Sequence, residues 1–188
     1  MAAVTTDTQV IEGAITEILR FIGEDPARNG LRDTPARVAR AWAELTEGYG
    51  EDPAEVLGRV FEDDCDEMVI LQGIKFYSTC EHHLLPFYGE AIIGYLPGKV
   101  VGISKLARLV NIYARRLQIQ ERMTRQIADA IQAHLSAQGV AVIVRAHHLC
   151  MGCRGVRQAE TKMVTSSMLG LLREDATARA EFLQIIQD

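Results

Sequence analysis

The chain has 188 residues, of which 48% are hydrophobic and 24% are charged, and its formal net charge at pH 7 is −5. This length suits one domain with room for a small helical appendage, and the composition argues against a disordered chain. The acidic balance argues against broad, nonspecific nucleic-acid binding, which requires a basic face.

The N-terminal segment carries Asp7, Glu12 and Glu17 and lacks the basic start and apolar run of a signal peptide. No stretch approaches the roughly 18 consecutive apolar residues that a membrane-spanning helix needs. We therefore expect a cytoplasmic protein that binds neither nucleic acid nor membrane.

The first third of the chain has a helical pattern. Apolar residues at three- and four-residue spacing predict a helix around residues 10–22. A second helix is expected to begin at Thr34, which can cap it, with Pro35 in its first turn and Gly48 near its end. Asp52-Pro53 repeats this start signal for a short helix. We therefore assign residues 1–60 to an N-terminal helical region.

Beyond residue 60 the apolar pattern changes to the two-residue period of strands. Segments 67–80 and 87–97 predict two strands, followed by helices 104–116 and 120–137. Segments 140–150 and 162–169 predict two more strands, and a helix from about residue 173 closes the chain. Two hairpin-like pairs around a helical pair predict an α+β domain over residues 61–188. Its open sheet edges could be paired by neighbouring subunits that close a barrel.

Residue types that bind transition metals cluster in segment 78–90. Cys80 and His83 stand three residues apart, so one tight turn can present both to a single ion. His82 is an equally available imidazole, and the spacing does not choose between the two histidines. Thiolate and imidazole ligands favour zinc over magnesium or calcium.

A second cluster of the same residue types occupies segment 145–157. If the strand continues to its end, the two-residue period puts His148 and Cys150 on one face and His147 on the other. This parity favours His148 over His147 as a site residue. Two distant segments that each offer a cysteine and a histidine predict one shared metal site.

Two other interpretations of the cysteines stay open. Cys80, His83, Cys150 and Cys153 would make a complete four-ligand site, and closed sites of this kind are structural. Alternatively, Cys80 and Cys150 are merely buried thiols. Cys65 lies among acidic residues, which disfavour reactive thiols, so we expect it to be unreactive.

Two pairs of basic residues are candidates for anion binding. Lys105 and Arg108 follow Ser104 at the start of a predicted helix, on one face and beside the positive end of the helix dipole. Arg154 and Arg157 repeat this spacing after Cys150. The alternative for each pair is an ordinary solvated face.

Gln120 and Glu121 open the next predicted helix. An acidic residue in a first helical turn commonly compensates the helix dipole. The functional alternative is that the two side chains read the hydrogen-bonding edge of a heterocycle, since a carboxylate accepts bonds from two donors.

Six ordered stretches resemble a known family, and they cover nearly the whole chain from about Gly30. They are GLRDTPARVARAW, STCEHHLLPFYG, GKVVGISKLARLV, YARRLQIQERMT, HLCMGCRGVR and VTSSMLG. The chain resembles the GTP cyclohydrolase I family on these motifs. The resemblance implies a zinc ion bound by Cys80, His83 and Cys150, with water in the fourth position, which makes the site open and catalytic.

The resemblance also implies a reaction, in which the guanine imidazole ring of GTP is opened by hydrolysis. Formate leaves, and 7,8-dihydroneopterin triphosphate forms in the first step of tetrahydrofolate and pterin biosynthesis. His82, His148 and Ser104 fall on positions that transfer protons. The implied substrate-binding residues are Gln120 and Glu121 for guanine and Lys105, Arg108, Arg154 and Arg37 for the triphosphate.

The fold that the resemblance implies is the tunnelling fold, with two antiparallel strand pairs around a helical pair and helices before them. Five subunits would close one β-barrel, and two rings would stack into a decamer with sites at subunit junctions. Cys153 departs from the family pattern, which commonly has no thiol there. The alternative function is therefore a non-catalytic relative with a closed structural zinc site of three cysteines and one histidine.

Overall fold

The computed structural model describes residues 8–61 and 65–187. Its contacts group the chain into two compact units, Met1–Thr46 and Glu47–Asp188. The helix that begins at Pro53 packs with helices of the second unit. The functional division that we predicted at residue 60 stays a prediction.

The first unit contains α1 (Thr8–Phe21) and α2 (Thr34–Leu45), which pack against each other. Pro35 lies in the first turn of α2, as predicted, but Asp33 rather than Thr34 occupies the cap position. On α1 only Leu19 is buried, while Val10 and Phe21 are 65% and 90% exposed. The apolar spacing therefore identified the helix, but most of its apolar stripe is uncovered in the single chain.

The second unit opens with a 3₁₀ turn, Glu47–Gly50, and contains the predicted strands and helices. Its elements are α3 (Pro53–Leu57), β1 (Val60–Phe61), β2 (Val69–Cys80), β3 (Pro86–Leu96), β4 (Val100–Val101), α4 (Ile103–Ala114), β5 (Leu117–Gln118), α5 (Gln120–Leu135), β6 (Gly139–His148), α6 (Leu149–Gly152), β7 (Met163–Gly170), α7 (Leu171–Glu174) and α8 (Ala176–Ile185). The sequence missed β1, β4 and β5, because two residues show no periodicity. None of the helices in residues 8–61 and 65–187 is long and apolar enough to cross a membrane.

The main sheet has the strand order β5-β2-β3-β6-β7, and β1 and β4 form a separate pair. β2 and β3 are antiparallel, as are β6 and β7, which confirms the two predicted strand pairs and the α+β class. β3 also pairs with β6, and Phe87 lies opposite His148 at one end of this ladder. That pairing joins the two hairpins and brings the two chemically rich segments together.

The core lies between the sheet and the helical pair. One face of the sheet contributes Phe76, Ile93 and Val142, which cluster with buried residues of α4 and α5 such as Leu109 and Ile127. Part of the opposite face is covered by residues near the C-terminus. The strands β2, β3 and β6, which carry the candidate site, are therefore packed on one face against α4 and α5.

Gly89 gives a test of the close pairing between β3 and β6. A Cβ atom added at Gly89 would lie 1.9 Å from the backbone oxygen of Arg145. We expect Gly89→Ala to lower the free energy of unfolding by about 1–3 kcal/mol, the usual cost of overpacking a core. Chemical denaturation measures this change.

Gly13→Ala is the matched control, because nothing lies within 4 Å of a Cβ added there and the residue is inside α1. Alanine should leave stability unchanged or raise it by about 0.5–1 kcal/mol, since it favours the helix. Equal stabilities for Gly89→Ala and the wild type would contradict the close approach of the two strands.

Candidate metal centre

A tight turn at the end of β2 carries the first two candidate ligands. The Leu84 N–H donates to the Cys80 carbonyl at 2.9 Å, and the Cys80 N–H donates to the Leu85 carbonyl at 2.9 Å. Leu84 has a φ of 55°, in the left-handed region that costs a non-glycine residue roughly 1–3 kcal/mol. The turn places the Cys80 Sγ 3.7 Å from the His83 Nδ1.

The third candidate ligand comes from the end of β6 by a route that the sequence did not predict. The strand ends at His148, and Cys150 lies in the single helical turn α6. The expectation that Cys150 continues the strand beside His148 was therefore wrong. α6 nevertheless brings the Cys150 thiol close to the turn at the end of β2 that carries Cys80 and His83. Ligand atoms of Cys80, His83 and Cys150 lie within 4.8 Å of one another. We call these three residues the ligand group.

The chemistry of the ligand group fits a soft or borderline metal cation. Burial raises the pKa of the Cys150 thiol, and the neighbouring Cys80 thiol raises it further. The Cys150 thiol therefore resists ionisation unless a cation binds its thiolate. Two thiolates and one imidazole are a donor set typical of zinc.

Cys153 lies outside the ligand group. It is exposed and follows α6, where its backbone N–H donates to the Leu149 carbonyl at 2.9 Å. Within the part of the chain that the structure describes, Cys80, His83 and Cys150 are the one set of three or more Cys, His, Asp or Glu side chains close enough to share an ion. This geometry favours three protein ligands over a closed set of four.

His82 lies beside the ligand group without belonging to it. Its side chain is 63% exposed, with Nε2 3.9 Å from the Glu81 carboxylate. Its Nδ1 is 4.0 Å from the Cys80 Sγ, slightly farther than the 3.7 Å of His83 Nδ1. The tertiary structure thus distinguishes the two histidines, which the spacing could not.

Two other side chains hold the His148 ring in place, and His148 is close in sequence to Cys150 of the ligand group. Its ring stacks on Phe87, with 4.6 Å between ring centroids and 4° between planes. Its Nε2 lies 2.8 Å from the Gln120 Oε1. Burial lowers the pKa of His148, and the negative charge of Glu121 partly opposes this.

A salt bridge connects the turn that carries Cys80 and His83 to the start of α5. The Arg122 guanidinium donates to both carboxylate oxygens of Glu81, at 2.6 and 2.7 Å, and lowers the pKa of that carboxyl. β5 also runs parallel to the end of β2, where Cys80 lies opposite Gln118. Sequence reasoning missed Glu81 and Arg122, because residues 41 apart give no local signal of pairing.

Comparison with known proteins gives the family of this fold and ligand set. Residues 11–187 match the family described as GTP cyclohydrolase I. The chain belongs to the GTP cyclohydrolase I family. Membership confirms the resemblance seen in the sequence and supports the tunnelling fold for the subunit, with its order of two strand pairs around a helical pair.

Several curated relatives, each named GTP cyclohydrolase 1, are similar over nearly their whole length. The relative from Alkalilimnicola ehrlichii is 58% identical, over 94% of this chain and 97% of its own. Those from Wolinella succinogenes and Thermobifida fusca are 55% and 53% identical, over 92% and 99% of this chain and 94% and 91% of theirs. A solved structure of an apo archaeosine synthase QueF-Like covers 55% of this chain and 93% of its own, at 18% identity and a TM-score of 0.46.

The base-binding candidates of this family member adjoin the site, at the start of α5. Gln120 is buried and contacts His148, whereas Glu121 is exposed. Glu121 lines an open cavity of about 710 Å³ together with Arg125, Arg179 and residues of β7. The carboxylate is therefore accessible at the edge strand of the sheet.

Two of the phosphate-binding candidates, Lys105 and Arg108, lie in the N-terminal half of α4. Ser104 and Lys105 lie in the first turn of α4, and Arg108 lies one turn later. The other end of this 12-residue helix leads into β5, beside Cys80. A helix of that length spans about 18 Å, so its first turn is separated by about this distance, along the helix, from the end that leads into β5.

The two remaining arginine candidates are exposed. Arg154 follows Cys150 in the segment between α6 and β7. Arg37 belongs to the first compact unit, where its guanidinium pairs with Asp33 at 3.2 Å. Both side chains are accessible to an anion, and their part in substrate binding stays a prediction.

Proposed function

We propose that this protein is a zinc-dependent GTP cyclohydrolase I. It opens the guanine imidazole ring of GTP by hydrolysis, releases formate and forms 7,8-dihydroneopterin triphosphate, the first step of tetrahydrofolate and pterin biosynthesis. The observation that carries the proposal is the ligand group of Cys80, His83 and Cys150, within 4.8 Å of one another in a chain of this family. Three protein ligands leave a coordination position open, as in catalytic zinc sites.

Zinc held by the ligand group would supply Lewis-acid activation of water for attack on C8 of guanine. His82 is assigned to protonate N7, because an imidazole can donate a proton at neutral pH and this one is exposed beside the ligands. His148 and Ser104 are assigned to the later proton transfers of ring opening, sugar rearrangement and reclosure.

Glu121 is the residue proposed to anchor the base. Its exposed carboxylate can accept two hydrogen bonds, one from the guanine N1–H and one from the exocyclic amine. The resemblance pairs Gln120 with Glu121 as a second base-binding candidate, but the Gln120 side chain is buried. The cations proposed to bind the triphosphate are Lys105, Arg108, Arg154 and Arg37, in which guanidinium groups match the geometry of phosphate.

We further propose that the active enzyme is a homodecamer of two stacked pentamers, located in the cytoplasm, with its sites at subunit junctions. Two observations support an assembly. The start of α4, which carries Lys105, lies about 18 Å along the helix from the end that leads to β5, so a site at a subunit junction could combine this cradle with the ligand group of a neighbour. β5 and β7 end the sheet, and apolar residues of α1 such as Val10 and Phe21 are exposed.

The test of the function combines metal analysis with a product assay on one sample. Zinc-loaded protein incubated with GTP should release formate and yield a pterin that fluoresces after oxidation. A chelator should abolish both products, and ATP should give neither. A sample that contains zinc but forms neither product from GTP would show that the assignment is wrong.

A further inference from the structure

We propose that Gln120 is a positioning residue, whose side chain fixes the orientation and tautomer of His148 and does not itself read guanine. This inference rests on the proposed function and deepens it, because it divides the Gln120-Glu121 pair into two roles. The pair stands in the first turn of α5, where consecutive side chains point about 100° apart. Gln120 is 1% exposed, and Glu121 is exposed.

The amide nitrogen of Gln120 is fully engaged inside the protein. Its Nε2 donates to the Val144 carbonyl at 3.0 Å, to the Met163 carbonyl at 3.1 Å and to the Thr165 hydroxyl at 3.1 Å. A primary amide has only two N–H donors, so none remains for a base. The nitrogen therefore anchors the side chain between β6 and β7.

These acceptors also fix which way the amide faces. If it were flipped, its oxygen would point at the carbonyl oxygens of Val144 and Met163, and neither can donate a hydrogen bond. The Gln120 oxygen must therefore face His148, whose Nε2 lies 2.8 Å away. An amide oxygen is only an acceptor, so the His148 Nε2 must be the donor.

The consequence for His148 is a defined tautomer. A neutral imidazole that donates from Nε2 carries its lone pair on Nδ1, which makes Nδ1 the nitrogen able to accept a proton. Stacking on Phe87 fixes the plane of the ring, and the bond to Gln120 fixes its rotation within that plane. Gln120 thus prepares His148 for a proton transfer without touching the substrate.

The surrounding network keeps Gln120 in place. The Thr124 hydroxyl lies 2.7 Å from the Gln120 backbone oxygen, to which it donates, and also 2.7 Å from the Thr165 hydroxyl. Fully satisfied buried networks of this kind hold one arrangement, because any other leaves polar groups unpaired at low dielectric. The Gln120 side chain is therefore suited to orienting His148, whereas a side chain that recognises the base needs a free donor or acceptor.

The test uses Gln120→Met, which keeps the approximate length and removes the hydrogen bonds. We expect kcat for GTP to fall about tenfold or more, since proton transfer from a positioned group contributes about 10²–10⁴-fold. Inosine triphosphate, which lacks the exocyclic amine, is the second substrate. The ratio of kcat/KM for GTP to that for inosine triphosphate should stay at its wild-type value in Gln120→Met and should fall in Glu121→Gln.

A double-mutant cycle checks that the effect passes through His148. In a His148→Ala background, Gln120→Met should lower the residual kcat no further. Thr165→Val, which removes one acceptor of the Gln120 amide, should lower kcat in the same direction by less. Zinc content and thermal unfolding of each variant separate a local effect from loss of the fold.

A spectroscopic readout is independent of turnover. In histidine-labelled protein, the ¹⁵N shifts of His148, assigned by their loss in His148→Ala, should show the proton on Nε2 and should become mixed in Gln120→Met. The inference fails if Gln120→Met changes the substrate ratio as Glu121→Gln does, or lowers kcat further without His148. An inactive wild type would instead overturn the proposed function, and this inference with it.

Discussion

Cys150→Ser is expected to lose its zinc and to form no detectable pterin from GTP. The Cys150 thiol is one of three ligand atoms within 4.8 Å of one another, and a serine hydroxyl is a poor ligand for a borderline-soft cation. Loss of an outer-shell partner alone typically lowers metal affinity about 10–100-fold, so loss of a direct ligand should exceed that range. Metal analysis after desalting, with the pterin assay on the same sample, measures both effects.

Cys153→Ser is the matched control for this result. The substitution is chemically identical and lies three residues farther along, but the Cys153 side chain is exposed and outside the ligand group. We expect it to retain one zinc per subunit and nearly full activity. If Cys153→Ser also loses zinc, the site is closed by four protein ligands, and the structural alternative is correct.

His82→Ala is expected to keep its zinc and to form product about 10²–10⁴-fold more slowly, the usual contribution of a positioned general acid. His82 is exposed beside the ligand group, and it is His83 that joins the two cysteines. The variant should therefore bind GTP and metal yet stall before ring opening. Zinc content, GTP binding and single-turnover release of formate separate these steps.

His147→Ala serves as the control for His82→Ala. His147 belongs to the other histidine pair, but it lies opposite Tyr88 in the ladder, whereas His148 lies opposite Phe87. Side chains of consecutive strand residues point to opposite faces, so its loss should leave both zinc and rate close to wild type. Complete loss of zinc from His82→Ala would show that the roles of His82 and His83 are exchanged.

The sequence predicted the elements because their signals are local. Apolar spacing identified α1, α4 and α5, and the two-residue period identified β2, β3, β6 and β7. The short spacing within segment 78–90 predicted that one turn would present Cys80 and a histidine to a single ion, but it did not choose between His82 and His83. The ordered motifs then led to the family, which residues 11–187 confirm.

The register between distant strands could not be predicted in this way. The strand parity used for Cys150 failed because the chain turns into α6 after His148, and an apolar run of this length gives no signal for one helical turn. The bidentate salt bridge between Arg122 and Glu81 depends on the pairing of β5 with β2. A strand of only two residues has no sequence pattern that would predict this pairing. The salt bridge joins segments 41 residues apart in the chain, whereas the turn into α6 is local.

The sequence alone determined the types of ligand, the order of the elements and the resemblance to the family, because those depend on residue identity and short spacing. The tertiary structure decided how those residues are used. It placed His83 in the ligand group with His82 beside it, left Cys153 outside, and buried the Gln120 amide among acceptors that turn its oxygen toward His148. The physical reason is that burial and hydrogen-bond geometry arise only when β3 pairs with β6 and the start of α5 packs against them.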